Sequence, residues 1–210
     1  MMRRRAQAPA PWLVGSRITM RPLRDDDFEE WREVRLANED WLLKWEPLRP
    51  PGTPDPVRDR NAFHARCDAR RRDRQAGIGY GFGVFVDGAF AGEMNLSSIQ
   101  RGALQSCYIG YWIDHRHAGH GYTPEALVAA MQFGFEEINL HRVQISIIPR
   151  NTASRRVVEK LDIRLEGIAE RYLQINGAWE DHMRFAVTSE EWSERSPQWI
   201  AQWLEPRLST

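Results

Sequence analysis

Between His115 and Leu127 the chain reads HRHAGHGYTPEAL, setting His115, His117, His120, the Arg116 guanidinium and the glycines Gly119 and Gly121 in front of a helix start. Three kinds of chemistry compete for such a turn. Three imidazoles can hold a metal, although zinc ordinarily takes further ligands from elsewhere and carboxylates to orient the rings. A phosphate group can be cradled: glycines open backbone conformations closed to other residues, so successive N–H groups converge on an oxyanion, and the following helix adds roughly half a positive charge. A polar loop between two core elements is the third. The nucleotide pattern G-x-x-x-x-G-K-[ST] has no match, so the phosphate this turn suits is a pyrophosphate across a strand-to-helix junction, with Arg116 beside it.

Periodicity indicates the elements that must position the turn. SCYIGYWI, before it, reads as a strand in which Gly110 marks a bulge or a close approach of a ligand to the backbone. After it Thr123 is expected as N-cap and Pro124 at the first helical position, with Leu127, Met131, Gly134, Phe135 and Ile138 as the apolar stripe. Upstream, RITMRPLR predicts a short edge strand ended by Pro22. Asp25 to Asp27 lead a helix carrying Phe28, Trp31, Val34 and Leu36, and the proline-rich WLLKWEPLRPPGTPDP predicts a loop. Residues 57 to 74 read as a helix whose arginines, interspersed with aspartates, form a solvated face or a contact for RNA or an acidic protein. Asp87-Gly88 and Asn176-Gly177 each predict a turn between two strands. RVQISIIP is a further strand, NTASRRVVEKL a helix capped by Asn151 or Thr152, and a tryptophan-rich helix follows Ser189. No register of Gly77, Gly79, Gly81 and Gly83 makes a dinucleotide fingerprint. The fold class is α/β of the α+β type, a mixed and mainly antiparallel sheet flanked by helices.

With 210 residues one domain is expected, divided as a flexible arm over 1–15, the domain over 16–192 and a helical tail over 193–210. Acidic and basic residues balance at 29 each, so global charge requires neither nucleic acid nor an anionic membrane. No apolar run reaches the ~18 residues of a membrane span. Cys67 and Cys107 are too few for a disulfide framework, and the proline-broken start lacks the apolar core of a signal peptide, so a cytoplasmic protein is expected.

RHAGHG, Arg116 to Gly121, resembles the [QR]-x-x-G-x-[GA] acyl-CoA loop of the GNAT acetyltransferase superfamily, with YWID and YTPEAL where that superfamily has its strand and helix. WEP at Trp45 to Pro47, CYIGYWID, HRVQISIIPRNTASRRVVEKL and YLQINGAWEDHMRFAVT extend the resemblance over about residues 16 to 192 to the RimJ/RimL branch, the ribosomal-protein N-terminal acetyltransferases. NGAWEDH resembles its RimJ side. The resemblance implies a GNAT fold, acetyl-CoA as cosubstrate and no metal. It places the pyrophosphate on Arg116, His117, Ala118, Gly119, His120, Gly121 and Tyr122, and the pantetheine arm along the strand ending at Trp112 and Ile113. Asn151 and Ser154 match positions of polar contacts to pantetheine and thiol, with helix capping and an inert hydroxyl as the plain alternatives. Glu46 and Glu93 are the implied candidates for a base, and Asp181 a weaker one. The implied reaction is direct acetyl transfer to a primary amine, the α-amine of a protein N-terminus, with a ribosomal protein as a possible partner. A GNAT acting on a small-molecule amine and a non-catalytic ribosome- or RNA-binding protein are the alternatives. Leu161-Asp162-Ile163 departs from the family's Leu-Gly-Phe, which predicts a remodelled helix end there.

Overall fold

The computed structural model describes residues 10–206. Eight strands form one sheet: β1 (Leu13–Val14), β2 (Ile18–Arg21), β3 (Tyr80–Val86), β4 (Ala89–Gln100), β5 (Ser106–Ile113), β6 (Arg142–Ile147), β7 (Leu165–Ile175) and β8 (Ala178–Thr188). Their order is β1-β2-β3-β4-β5-β6-β8-β7, and only β5 with β6 is parallel. The helices are α1 (Phe28–Ala37), α2 (Glu39–Leu42), α3 (Arg60–Ala76), α4 (Tyr122–Gln132, continued by a π turn over Phe133–Glu137), α5 (Thr152–Lys160) and α6 (Ser189–Trp203).

Both predicted hairpin turns are present, and for the expected reason. Asp87 and Gly88 have φ of 51° and 84°, Asn176 and Gly177 of 46° and 84°, the paired positive values that a tight hairpin turn requires. One face of the sheet packs against α4, α5 and α6 through Met20, Phe82, Leu96, Leu127, Met131, Val143 and Trp199, while α1 and α3 cover β3 and β4 on the other through Trp31, Phe63, Phe85 and Phe90.

Several expectations are corrected. Leu13–Val14, inside the arm expected over 1–15, is a strand paired with Met20 and Thr19; residues 1–9 of that arm lie outside the described residues. The boundary at 192/193 cuts through α6, which a capping box starts at Thr188 and whose Trp192, Trp199 and Trp203 are buried in the main core, so this helix belongs to the domain. Part of the expected loop after Ala37 is α2 and a following 3-10 turn at Leu43–Trp45. The α3 face is not simply solvated, since Arg66 and Arg70 turn inward to the sheet.

The end of α5 keeps its reversal without glycine. Asp162 adopts φ of 50°, the Ile163 amide donates back to the Val158 carbonyl at 3.0 Å, and Arg195 of α6 donates to the Leu161 and Asp162 carbonyls at 3.0 and 2.8 Å. A non-glycine residue in this region carries strain of about 1 kcal/mol, which the Arg195 clamp offsets. Asp162→Gly is therefore expected to raise stability by about 0.5–1 kcal/mol, a Tm gain of about 2–3 °C. Differential scanning calorimetry reads this directly, and a lower Tm would mean the aspartate side chain itself holds the turn.

Candidate active site

β5 and β6 pair only from Ser106 to Tyr108 against Arg142 to Gln144; beyond those residues they part, leaving Ile109–Ile113 and Ile145–Ile147 facing one another without a ladder. Of the two readings of Gly110, the bulge is absent, because the β4–β5 register runs unbroken through Asn95 and Gly110 and shifts only near Ser97 to Gln100. The opening comes from strand splay instead. A Cβ at Gly110 would meet nothing within 4 Å, so the backbone there is open on the cleft.

The turn of Arg116 to Gly121 closes one end of this cleft. Asp114, fully buried, accepts from the Arg116 amide at 3.1 Å and from its Nε at 2.8 Å, and Asn38, also buried, donates to Asp114 while accepting from the His115 amide at 2.8 Å. Burial pushes the Asp114 carboxyl up, but the bonds from Arg116 and Asn38 outweigh it and the net shift is downward. Arg116 thus props the turn as well as presenting charge.

On the other side Arg17 donates to both oxygens of the buried Glu125, at 2.6 Å through its amide and 2.9 Å through Nε, and its Nη1 reaches the His120 carbonyl at 3.0 Å. Its guanidinium also lies over the Tyr122 ring. Gly119 and Gly121 have φ of 85° and 88°, and it is Gly121, not Thr123, that caps α4, since the Glu125 amide donates to the Gly121 carbonyl. The amides of Gly119, His120 and Gly121 have no protein acceptor among the described residues, and those of Tyr122 and Thr123 head the helix. That is a set of N–H groups arranged for an oxyanion. The histidines diverge: His115 bonds Asn38, while His117 and His120 pack on Tyr122. Among the described residues no group of three or more potential ligands could hold a metal ion.

The α5 end of the cleft carries Asn151 and Ser154. Asn151 caps the helix, its Oδ1 accepting from the Ser154 amide at 3.1 Å. Ser154 Oγ donates to the Tyr111 hydroxyl at 3.1 Å, and that hydroxyl donates to the Ser154 carbonyl at 3.2 Å. Burial drives the Tyr111 hydroxyl well above its ordinary range, so it stays a phenol.

Register and alternation put Gly110, Trp112, Ser146, His182 and Arg184 on one face of the sheet, and Tyr111 and Ile113 on the opposite one. The first face is bordered by Trp45 and Glu46, tied to the β7–β8 hairpin by the Asn176 amide donating to the Glu46 carbonyl at 2.9 Å, while Arg150, paired with Glu180 of β8, lies over the Trp45 ring. Glu46 accepts from both Arg35 Nη atoms at 2.7 Å, and Arg35 lies over Trp112. His182 is buried, with Nδ1 donating to the Glu180 carbonyl at 3.0 Å. Asp181 is exposed and accepts from the Arg171 amide.

Glu93 is not brought to this cleft. It is 2 % exposed beneath α1 and α3, with Trp31 Nε1 donating to one oxygen at 2.7 Å and Arg66 to the other at 2.5 Å. Burial alone would raise its pKa; Arg66, Arg70 and the Trp31 bond hold it at about 2 instead. A carboxylate that acidic, with both oxygens engaged, is a structural anion and not a base.

A strand splay, a glycine turn of free amides heading a helix, and a polar wall opposite define an acyl-CoA-dependent transferase. The chain belongs to the GNAT acetyltransferase family, whose Acetyltransferase (GNAT) domain model matches residues 17–164. It is accordingly an N-acetyltransferase that takes acetyl-CoA as cosubstrate. It is 34% identical over 177 residues to the probable N-acetyltransferase YjcK of Bacillus subtilis, covering 83% of this chain and 96% of that one. It is 29% identical over 191 residues to the [ribosomal protein uS5]-alanine N-acetyltransferase of Escherichia coli, covering 90% and 96%. The solved structure of Mycobacterium smegmatis RimJ in complex with CoA-disulfide is similar at TM-score 0.82 and 31% identity, over 92% of this chain and 93% of that one.

Loop occupancy is testable through Gly119, where an added Cβ would meet nothing within 4 Å. By contrast, one at Gly121 would press on Arg17 and Trp203 at 3.3 Å and upset the fold. Gly119→Asp sets a negative charge beside the free amides, at the strain of about 1 kcal/mol that a non-glycine residue carries at positive φ. It is expected to weaken acetyl-CoA binding by tenfold or more, about 1.4 kcal/mol, with a Tm loss of no more than about 4 °C. Calorimetric titration decides, and unchanged affinity would remove the loop from the site.

Proposed function

We propose that this N-acetyltransferase modifies the α-amine of a protein N-terminus, with a ribosomal protein as the acceptor class, by direct transfer from acetyl-CoA. The pyrophosphate lies on the amides of Gly119 to Thr123, and the pantetheine arm lies in the parted strands, pairing with backbone from Ile109 to Ile113. The acceptor enters from the face of Gly110, Trp112 and His182, past Glu46. Glu46 orients the ammonium, and Nε2 of His182, the ring nitrogen not held by the Glu180 carbonyl, receives a proton as the amine attacks. The Ser154–Tyr111 pair meets the departing thiolate.

The observation that carries the acceptor assignment is the state of the carboxylates. Glu93 is sealed away, Asp181 serves a backbone amide, and Glu46 is locked by Arg35. A lysine side chain, pKa near ~10.4, costs about 3.5 kcal/mol more to deprotonate at neutral pH than an α-amine near ~7.8. A site without a strong base suits the α-amine. The Escherichia coli relative, named as acting on an alanine of ribosomal protein uS5, supports the acceptor class. Two buried free cysteines, with thiols pushed up to about 11 and about 12 by burial, support a reducing cytoplasm.

Two peptides test the reading, one with a free N-terminus and no lysine, the other blocked at its N-terminus with one lysine. Faster acetylation of the first is expected; faster acetylation of the blocked peptide overturns the α-amine assignment. Glu46→Gln is expected to raise the acceptor KM several-fold, on the order of 1 kcal/mol, and to leave acetyl-CoA affinity unchanged, because it removes the charge that faces the ammonium.

A further inference from the structure

On the α1/α3 side of the sheet a cavity of about 470 Å³ lies between α3, the end of β2 and the residues leading into β1. β3 and β4 separate β2 from the cleft strand β5, so this is not part of the acetyl-CoA site. Its lining is basic, with Arg21, Arg24, Arg70, Arg71 and Arg74 against a single carboxylate, Asp25.

Most of these charges are spoken for. Arg21 forms a two-bonded pair with Asp27 at 2.7 Å, Arg71 pairs with Asp68, and Arg70 reaches Asn95 and lies 3.5 Å from Glu93, which Arg66 already neutralises. A Cβ at Gly81 would strike Arg70, so the glycine makes room for that side chain beside β3. The guanidinium groups of Arg24 and Arg74 have no acceptor among the described residues, and the residues outside that span, 1–9 and 207–210, contain no Asp or Glu. Burial and the neighbouring Arg71 both disfavour the charge on Arg74. Cations gathered in a concave, partly desolvated site are relieved by an anion, and guanidinium forks match phosphate and carboxylate oxygens. Trp12 and Leu23 supply apolar wall.

We propose that this cavity binds a small dianion, a phosphate monoester or a dicarboxylate, with its head group on Arg24 and Arg74 and its apolar body against Trp12 and Leu23. The volume is that of a small-molecule site.

Calorimetric titration of the full chain with phenyl phosphate and, separately, phthalate tests this, with benzyl alcohol as the neutral control. Saturable binding of at least one dianion is expected, weakened about tenfold in Arg74→Ala and in Arg24→Ala and unchanged in Gly119→Asp. The tighter of the two probes assigns the head group. Arg24 is exposed and Arg74 half-buried, and neither has an acceptor among the described residues to lose, so both variants should keep the parent Tm, which is measured alongside. No saturable heat from either dianion, or equal binding of benzyl alcohol, overturns the proposal. So does binding lost in Gly119→Asp but kept in Arg74→Ala, which would place the anion on the acetyl-CoA loop.

Discussion

Glu93→Gln is expected to lower stability by about 3–5 kcal/mol, a fall in Tm on the order of 10 °C, while leaving kcat within a few-fold of the parent at temperatures where the variant is folded. The amide keeps the size of the carboxylate but not its charge, so Arg66 and Arg70 lose the buried counter-ion they share, and an NH₂ group faces a guanidinium that can only donate. The pH dependence has a definite sign. The folded-state pKa is depressed from 4.5 to about 2, so the contribution of Glu93 is fully present above pH 4.5 and is lost as pH falls toward about 2. That loss amounts to about 3 kcal/mol. The stability difference between parent and variant should therefore shrink across that acid window, as urea melts at several pH values would record. A well-folded variant with kcat down by about three orders of magnitude would return Glu93 to the chemistry.

Ser154→Ala is expected to lower kcat by about tenfold to a hundredfold and to change the KM for acetyl-CoA by no more than about threefold. CoA leaves as a thiolate, and a hydroxyl that solvates or protonates it is felt mainly in the transition state. Ser154 Oγ and the Tyr111 hydroxyl are bonded to each other at 3.1 Å, and the buried phenol holds its proton at any physiological pH. Tyr111→Phe should have an effect of similar size. The double variant should be little worse than either single one, because two groups acting through one hydrogen bond are not additive. Steady-state kinetics on the three variants separates the possibilities. An unchanged kcat with a raised KM for acetyl-CoA would reduce Ser154 to a binding contact.

What could be read from the sequence was local. Asp87-Gly88 and Asn176-Gly177 fix their turns through two residues each, and the α4 stripe from Leu127 to Phe135 and the RHAGHG turn lie within short windows. The misplaced N-cap was also local: Thr123 is a good cap by type, but Gly121, at φ of 88°, takes the position two residues earlier. What was missed depends on partners far along the chain. Glu125 gave a hint, as a carboxylate within the apolar run PEALVAAM, yet nothing near it names Arg17 as its partner. Asp114 could have been found as a side chain turning back onto the amide two residues on, but its bond to Asn38 could not. Glu93 looks like a strand carboxylate facing a site until α3 places Arg66 and Arg70 over it. Strand alternation gives the two faces but not which face a helix will cover.

Trp203 sits 3.3 Å from where a Cβ of Gly121 would stand, and Arg17 comes as close to the same spot. The turn at the mouth of the cleft is thus clamped between residues near opposite ends of the described chain. During synthesis α4 and its glycines leave the ribosome well before α6 does, and until the last turn of α6 docks the turn lacks its floor. A nascent chain of this enzyme should consequently gain affinity for acetyl-CoA late and abruptly, so that ligand binding by arrested chains of increasing length would follow the docking of Trp203 and not the emergence of the turn itself.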